Sequence, residues 1–168
     1  MNSLEESSGV PTARDVVPKD ERFRFSHRIP VRFADTDAQG HVFFANYLTF
    51  FDETLTAYMR AIGCPWQRMI ELGVDIVYAD SRCQHRGRSF FEDELLIQGK
   101  ISRIGDSSIT SRYRAFRGEN QLVAEGQLVC VCVDRQNKRK VGCPEELRQA
   151  VARYEAGESQ ADDSGAIG

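Results

Sequence analysis

The stretch RFADTDAQGHVFFANY, residues 32–47, gathers the side chains best suited to chemistry. Asp35 and Asp37 stand two apart where an alternating segment ends, Gly40 supplies a sharp turn, and a helical period begins a few residues later. The first turn of a helix carries unpaired backbone N–H groups and the positive end of the helix dipole. Such donors can hold a developing oxyanion. A carboxylate facing them can attack a carbonyl or activate a water molecule. The same residues have a plainer use, because Asp-Thr-Asp followed by Gly is also turn and helix-capping chemistry. The segment is not a Walker, GxGxxG or HExxH motif.

The elements that must position these residues follow from periodicity. FRFSHRIPVRF alternates, with Phe23, Phe25, His27, Ile29, Val31 and Phe33 on one face and Arg24, Ser26, Arg28 and Arg32 on the other, as a half-buried strand does. Pro30 removes one ladder donor and places that strand at an edge or at a bulge. His27 falls on the apolar face as a packing residue, since no second His or Cys stands at ligand spacing. Tyr47, Phe51, Leu55, Tyr58 and Ile62 recur at three- and four-residue steps, and Leu48, Phe50 and Met59 widen the stripe. A helix this apolar belongs inside the domain, with Gly63 and Pro65 as its stop. WQRMIELG reads as a short helix ending at Gly73. VDIVYADSRCQH, ELLIQGKISRI, SSITSRYRAFR and QLVAEGQLVCVCVD read as strands, the last three as an antiparallel meander with Gly118-Glu119-Asn120 as a turn. PEELRQAVARYE closes the chain as a helix with Pro144 near its first position. The expected fold is α+β, a five-stranded antiparallel sheet wrapped around one long central helix. An edge left open by such a sheet invites pairing between two copies.

Residues 1–20 and 156–168 are polar and without period, and are expected to be disordered tails around one domain at 21–155. The 168 residues carry 22 basic and 25 acidic side chains, a net charge of −3, which gives no electrostatic reason for nucleic-acid binding. No run is long and apolar enough for a membrane span, and the first residues lack a signal pattern, so the expected compartment is the cytosol. Five cysteines without a CxxC pair argue against a disulfide framework or a structural zinc site, and fit small buried apolar residues.

FADTDAQGHVFFANYLTFFDE resembles the signature of the 4-hydroxybenzoyl-CoA thioesterase branch of the hotdog-fold acyl-CoA thioesterases: an apolar residue, D-x-D-x-x-G, a short linker, N-Y and a long apolar helix. The resemblance spans about residues 23–155 and takes in GCPW, SFFEDEL and CPEELRQAV. It implies hydrolysis of an acyl-CoA, aromatic or fatty, by a homodimer or a dimer of dimers, without metal or organic cofactor. Asp37 corresponds to the catalytic carboxylate, as nucleophile or as general base, and the backbone N–H of Phe44 to the main oxyanion donor. Gly40 permits a close approach and offers its own N–H, and Asp35 is a turn residue facing away. His41 matches a Gly-His-Val variant and either positions the carbonyl or a water or stands exposed in the loop. Family members with a catalytic His seven positions after the aspartate differ here, where Phe44 stands. Asn46 is a hydrogen-bonding residue at the helix start and a candidate for substrate binding, and Tyr47 is a core residue. Glu53, on the helix, is a subunit-interface or solvated residue.

For the CoA phosphates, Arg86, Arg88, Arg103 and the Arg139-Lys140 pair are the available cations, while Ser107 and Ser108 match positions near the pantetheine arm. Phe43, Trp66, Tyr78 and Phe90 are candidates for the acyl pocket or for plain core packing. The alternatives are a non-catalytic acyl-CoA or acyl-carrier binding module, and a hydratase. The latter requires a His paired with a carboxylate in a motif this chain does not resemble.

Overall fold

A computed structural model describes residues 22–118 and 120–158, so the expected tails at 1–20 and from 159 onward lie outside the described residues. The alternation that begins near Phe23 forms strand β1, Phe25–Pro30, whose inward residues end in the buried Ile29. The strand is shorter than the pattern. Phe33 does not continue its apolar face but is 76% exposed, in a 3-10 turn over Phe33–Asp35. The cause is local. Pro30 ends the strand, and the buried Asp35 carboxylate accepts from Arg32 N, Nε and Nη2 at 2.8, 3.0 and 2.7 Å, which folds the backbone into the turn.

Helix α1, Asn46–Ala61, buries Tyr47, Phe50, Phe51, Leu55, Tyr58 and Met59, the three- and four-residue stripe of the sequence. Its other face, with Thr49, Asp52, Glu53 and Arg60, is exposed, so the sheet covers one side only. Gly63, at φ 76°, turns the chain out of the helix as the spacing predicts. A short helix α2, Trp66–Glu71, leads into β2, Val74–His85. Strands β3 (Glu94–Ile104), β4 (Ser108–Arg117) and β5 (Gln121–Asp134) form the meander, and α3, Glu145–Ala156, closes the domain. Ala156 still belongs to α3, and Gly157, at φ 86°, caps it.

The strand order is β1-β3-β4-β5-β2, all neighbours antiparallel. Both rims are edges. The β1 rim is six residues long and ends in Pro30, where the sequence placed an edge strand, whereas the β2 rim runs for 12 residues without proline. Helix and sheet meet closely at two glycines. The Phe51 ring stacks on Tyr113 at 4.8 Å, and a Cβ on Gly126 would stand 2.4 Å from Phe51 Cε2 and 2.6 Å from the Arg82 carbonyl. A Cβ on Gly99 would stand 2.9 Å from Thr54 Cγ2. The cysteines are free thiols, four buried and Cys83 half-buried, in the apolar role their context suggests. Among the described residues no helix is long and apolar enough to cross a membrane.

Candidate active site

The loop between β1 and α1 carries the chain across one end of the sheet. Its shape is set by backbone bonds inside the loop and to the segment after β2. Asp37 N–H donates to His41 O at 2.9 Å, and Gly40 N–H donates to Asp37 O at 2.9 Å. Gly40 takes φ 80°, the left-handed region that side chains disfavour. Its N–H is consumed by this turn, so it does not point to a substrate as the resemblance suggested. Val42 N–H donates to Ser89 O at 2.8 Å, His41 bridges to Phe90, and Tyr47 OH bonds Ser89 Oγ at 3.1 Å. Ser89, fully buried, thus pins the loop and the helix start together. Sequence reasoning missed it, because its partners lie 42 and 47 positions upstream and no local pattern marks it.

The two aspartates divide the work. Asp35 is buried, and the Arg32 guanidinium that bonds it holds its carboxyl below the usual carboxylate range, against the opposing effect of burial. The Asp35 carbonyl accepts from Phe43 N–H and from Asn46 Nδ2, each at 2.9 Å. It is the structural residue expected of it, and the amide of Asn46 is occupied in holding the loop. Asp37 is different. Its Oδ1 accepts from Gln39 N–H at 2.8 Å, an Asx turn, while Oδ2 lies 3.5 Å from His41 Nδ1 and the side chain keeps 24% of its surface open. Turn chemistry is therefore present, as the plainer reading has it, but it engages one oxygen and leaves the other with only His41 Nδ1 near it. Neither aspartate caps α1. The N-cap is Ala45, without a side-chain hydrogen bond, and the first turn holds no acidic residue.

That uncapped end leaves donors unspent. Asn46 N–H donates to Phe43 O at 2.9 Å. Phe43 C=O and Phe44 N–H belong to one planar peptide unit and point in opposite directions. The bond to Asn46 therefore aims Phe44 N–H away from the helix, where no acceptor among the described residues meets it. With the dipole behind it, this N–H suits a negative oxygen. His41 is tied on both ring nitrogens, Nδ1 to Val42 O at 3.2 Å and Nε2 to Gln39 Oε1 at 2.9 Å, and is half-buried rather than exposed. Exposed aromatic rings stand around the opening, Phe43 at 41%, Phe44 at 63% and Phe90 at 42%. A cavity of about 560 Å³, walled by Arg28, Asp93, Glu94, Leu96 and Arg117, is formed by β1, β3, β4 and the segment before β3, and no residue of the β1–α1 loop lines it.

Other sequence candidates fall elsewhere. Arg88 is exposed and sits at this end of the sheet, next to Ser89. Arg86 pairs with Glu125 at 2.7 Å. Ser107 and Ser108 are at the opposite end, past the last residue of β3. The ten steps of β3 at about 3.3 Å separate them from the Asp37 end by roughly 33 Å, so one chain does not bring them together. Trp66 Nε1 bonds Thr56 Oγ1 at 3.0 Å, in the third turn of α1 and away from the loop. Tyr78 OH bonds the Asp52 carboxylate on α1. Glu53 is exposed. Among the described residues no group of three or more His, Cys, Asp or Glu side chains is gathered to hold a metal.

A sheet wrapped on one helix, with a carboxylate and an unspent backbone donor at that helix's amino end, is an arrangement able to polarise an activated carbonyl and bring a base or nucleophile to it. The chain belongs to the thioesterase-like superfamily, which it matches over residues 31–151, and it is a thioester hydrolase with the hotdog fold. It is 28% identical over 122 residues to the acyl-CoA thioester hydrolase YbgC of Escherichia coli O157:H7, covering 71% of this chain and 91% of that one. It is 27% identical over 122 residues to a 1,4-dihydroxy-2-naphthoyl-CoA hydrolase of Synechococcus elongatus, covering 70% and 88%. A solved structure of a hypothetical protein from Aquifex aeolicus superposes with a TM-score of 0.71 at 26% identity, covering 76% of this chain and 98% of that one.

Proposed function

We propose that this protein hydrolyses an acyl-CoA to the free acid and CoA, with Asp37 supplying the attack and Phe44 N–H holding the oxyanion. The observation that carries the reading is the pairing at one loop of a half-open carboxylate with an unspent, outward-aimed amide at an uncapped helix end. The thioester carbonyl lies between the two. Its oxygen gains negative charge as the tetrahedral intermediate forms, and the amide and helix dipole offset that charge. The Asp37 oxygen not held by Gln39 either attacks the carbonyl carbon, forming a mixed anhydride that water then opens to release the acid and restore the carboxylate, or takes the proton of an attacking water. His41, tied to Val42 and Gln39, steadies the loop beside that oxygen. CoA thiolate leaves without metal or organic cofactor.

The active unit in this reading is a homodimer, alone or doubled, joined along β2. The exposed Val77 and Tyr78 and the long unpaired rim favour that edge over the short β1 rim. Two β2 strands meeting antiparallel put the Ser107–Ser108 end of one copy beside the Asp37 end of the other. Strand spacing sets the separation at roughly 14 Å, within reach of a pantetheine arm. Arg88, exposed beside the loop, is the cation best placed for the CoA phosphates. The names of the relatives support the acyl-CoA substrate, and one structural relative was solved in complex with CoA. Purified protein is tested with aromatic and fatty acyl-CoA panels by release of free thiol, beside Asp37→Asn. Wild type turns over at least one class and the variant loses about 100-fold or more with its fold intact. A variant that hydrolyses at the wild-type rate removes Asp37 from the mechanism.

A further inference from the structure

His85 is the last residue of β2 and pairs in register with Ala124 of β5, two positions on from the Cys83–Gly126 pair. Alternation turns Cys83 and His85 to the same face, the one that carries α1. There the imidazole meets two rings of the helix start. It stands edge-on to Phe44 at 6.2 Å and 89°, and to Tyr47 at 5.4 Å and 60°. Tyr47 is anchored independently through Ser89. Phe44 is not, for its side chain is 63% exposed and its other ring contact is with Phe43, at 4.7 Å.

This matters because Phe44 sits in the turn ahead of α1, where helical hydrogen bonds have not begun. Its peptide N–H is directed by one bond, Asn46 N–H to Phe43 O. An exposed ring without a neighbour exchanges rotamers freely, and the uncapped turn carrying it frays. A ring held against a strand terminus keeps the turn in one geometry. We infer that His85 is a positioning residue, holding Phe44 against the end of β2 so that its N–H stays aimed at the substrate carbonyl. The inference rests on the reading of Phe44 as the oxyanion donor. Partial burial lowers the His85 pKa, which keeps the ring neutral, and the titratable groups beside it are Tyr47, whose phenol burial pushes up, and Cys83, whose Sγ is 3.8 Å from Nδ1. Burial holds that thiol protonated, up at about 11. A neutral imidazole next to a neutral thiol acts here through its shape.

The experiment compares His85→Ala and His85→Phe in the full chain. One readout is kcat and KM on the acyl-CoA that wild type hydrolyses fastest. The other is the 15N order parameter of the Phe44 amide, which needs no substrate. His85→Ala lowers kcat about 10-fold with KM within about 2-fold, and the Phe44 order parameter falls. His85→Phe restores both and keeps the wild-type pH–rate profile. An unchanged Phe44 amide in a folded His85→Ala protein overturns the inference whatever the activity. So does a rigid but inactive His85→Phe, which makes the imidazole itself part of the chemistry. Failure of the underlying assignment shows separately: a Phe44 amide that loosens in His85→Ala while kcat stays at the wild-type value removes Phe44 N–H as the oxyanion donor.

Discussion

At the end of the sheet where β3 turns into β4, the carbonyls of the turn are engaged. Arg148 Nη2 donates to Gly105 O at 2.6 Å and to Asp106 O at 2.8 Å, Cys143 N–H to Asp106 O at 2.8 Å, Cys132 N–H to Ser107 O at 2.8 Å, and Gly105 N–H to Ser108 O at 2.7 Å. At the opposite end the loop before α1 leaves Phe44 N–H without an acceptor among the described residues, and leaves one Asp37 oxygen outside the Asx turn, 3.5 Å from His41 Nδ1. Both ends are turns over the same sheet, and both carry small polar residues that a sequence motif can single out. They differ in what surrounds the open groups: Phe44 N–H lies ahead of the amino end of α1, whereas the β3–β4 turn has Arg148 of α3 on its carbonyls. A donor at a helix amino end has the positive end of the dipole behind it, which a turn between two strands lacks. The contrast supports the proposed chemistry at the Asp37 end, with Ser107 and Ser108 reaching a substrate only from a second copy in that proposal.

The contrast is open to attack. The largest effect is expected from Asp37→Asn, with about 100-fold or more lost in kcat and little change in thermal midpoint. An equal loss from Ser107→Ala, measured in the same assay, would erase the distinction between the ends. Gly126→Ala strikes between them, where a methyl group would overlap Phe51 and the Arg82 carbonyl. About 2–3 kcal/mol of destabilisation in urea is expected, with the activity per folded molecule retained at low temperature. Arg148→Ala loosens the β3–β4 end. The Gly105 carbonyl loses its donor while the Asp106 carbonyl keeps Cys143 N–H, about 1 kcal/mol of stability is lost, and kcat is unchanged.

The smallest effect separates the two aspartates by pH. The Asp35 carboxyl titrates below its unfolded value of about 3.9, because Arg32 hydrogen-bonds the charged form. Its contribution is therefore fully present above about pH 4 and is lost as pH falls through the lower folded value. Asp35→Asn is expected to be less stable than wild type at pH 7, with the gap in urea midpoints closing below about pH 4. A gap that stays constant down to acid would mean that the carboxylate charge contributes nothing to the turn.

Much of this was legible in the chain. The three-residue and four-residue recurrence from Tyr47 to Ile62 marks α1, because one stripe of a 3.6-residue helix must be buried. Alternation and turn residues mark the four strands that follow, and Gly63 marks the stop. The Asp37 segment stands out through a specific run of residue types in a short window. Phe33 shows where pattern misleads. Its alternation continues the strand on paper, but Pro30 and the Arg32–Asp35 bond end it first. Gly40 and Asn46 show the same for the site, since which N–H groups are spent depends on hydrogen bonds that residue types do not reveal.

Local periodicity and turn chemistry were enough to name the helix, the strands and the aspartate, because each is governed by neighbours within a turn or two. The packing of distant strands alone decided that Ser89 pins the loop, that His85 stands against Phe44, and that Ser107 lies at the far end. Those relations join residues about 40 or more positions apart. They arise from how the sheet orders its strands, which no local spacing encodes.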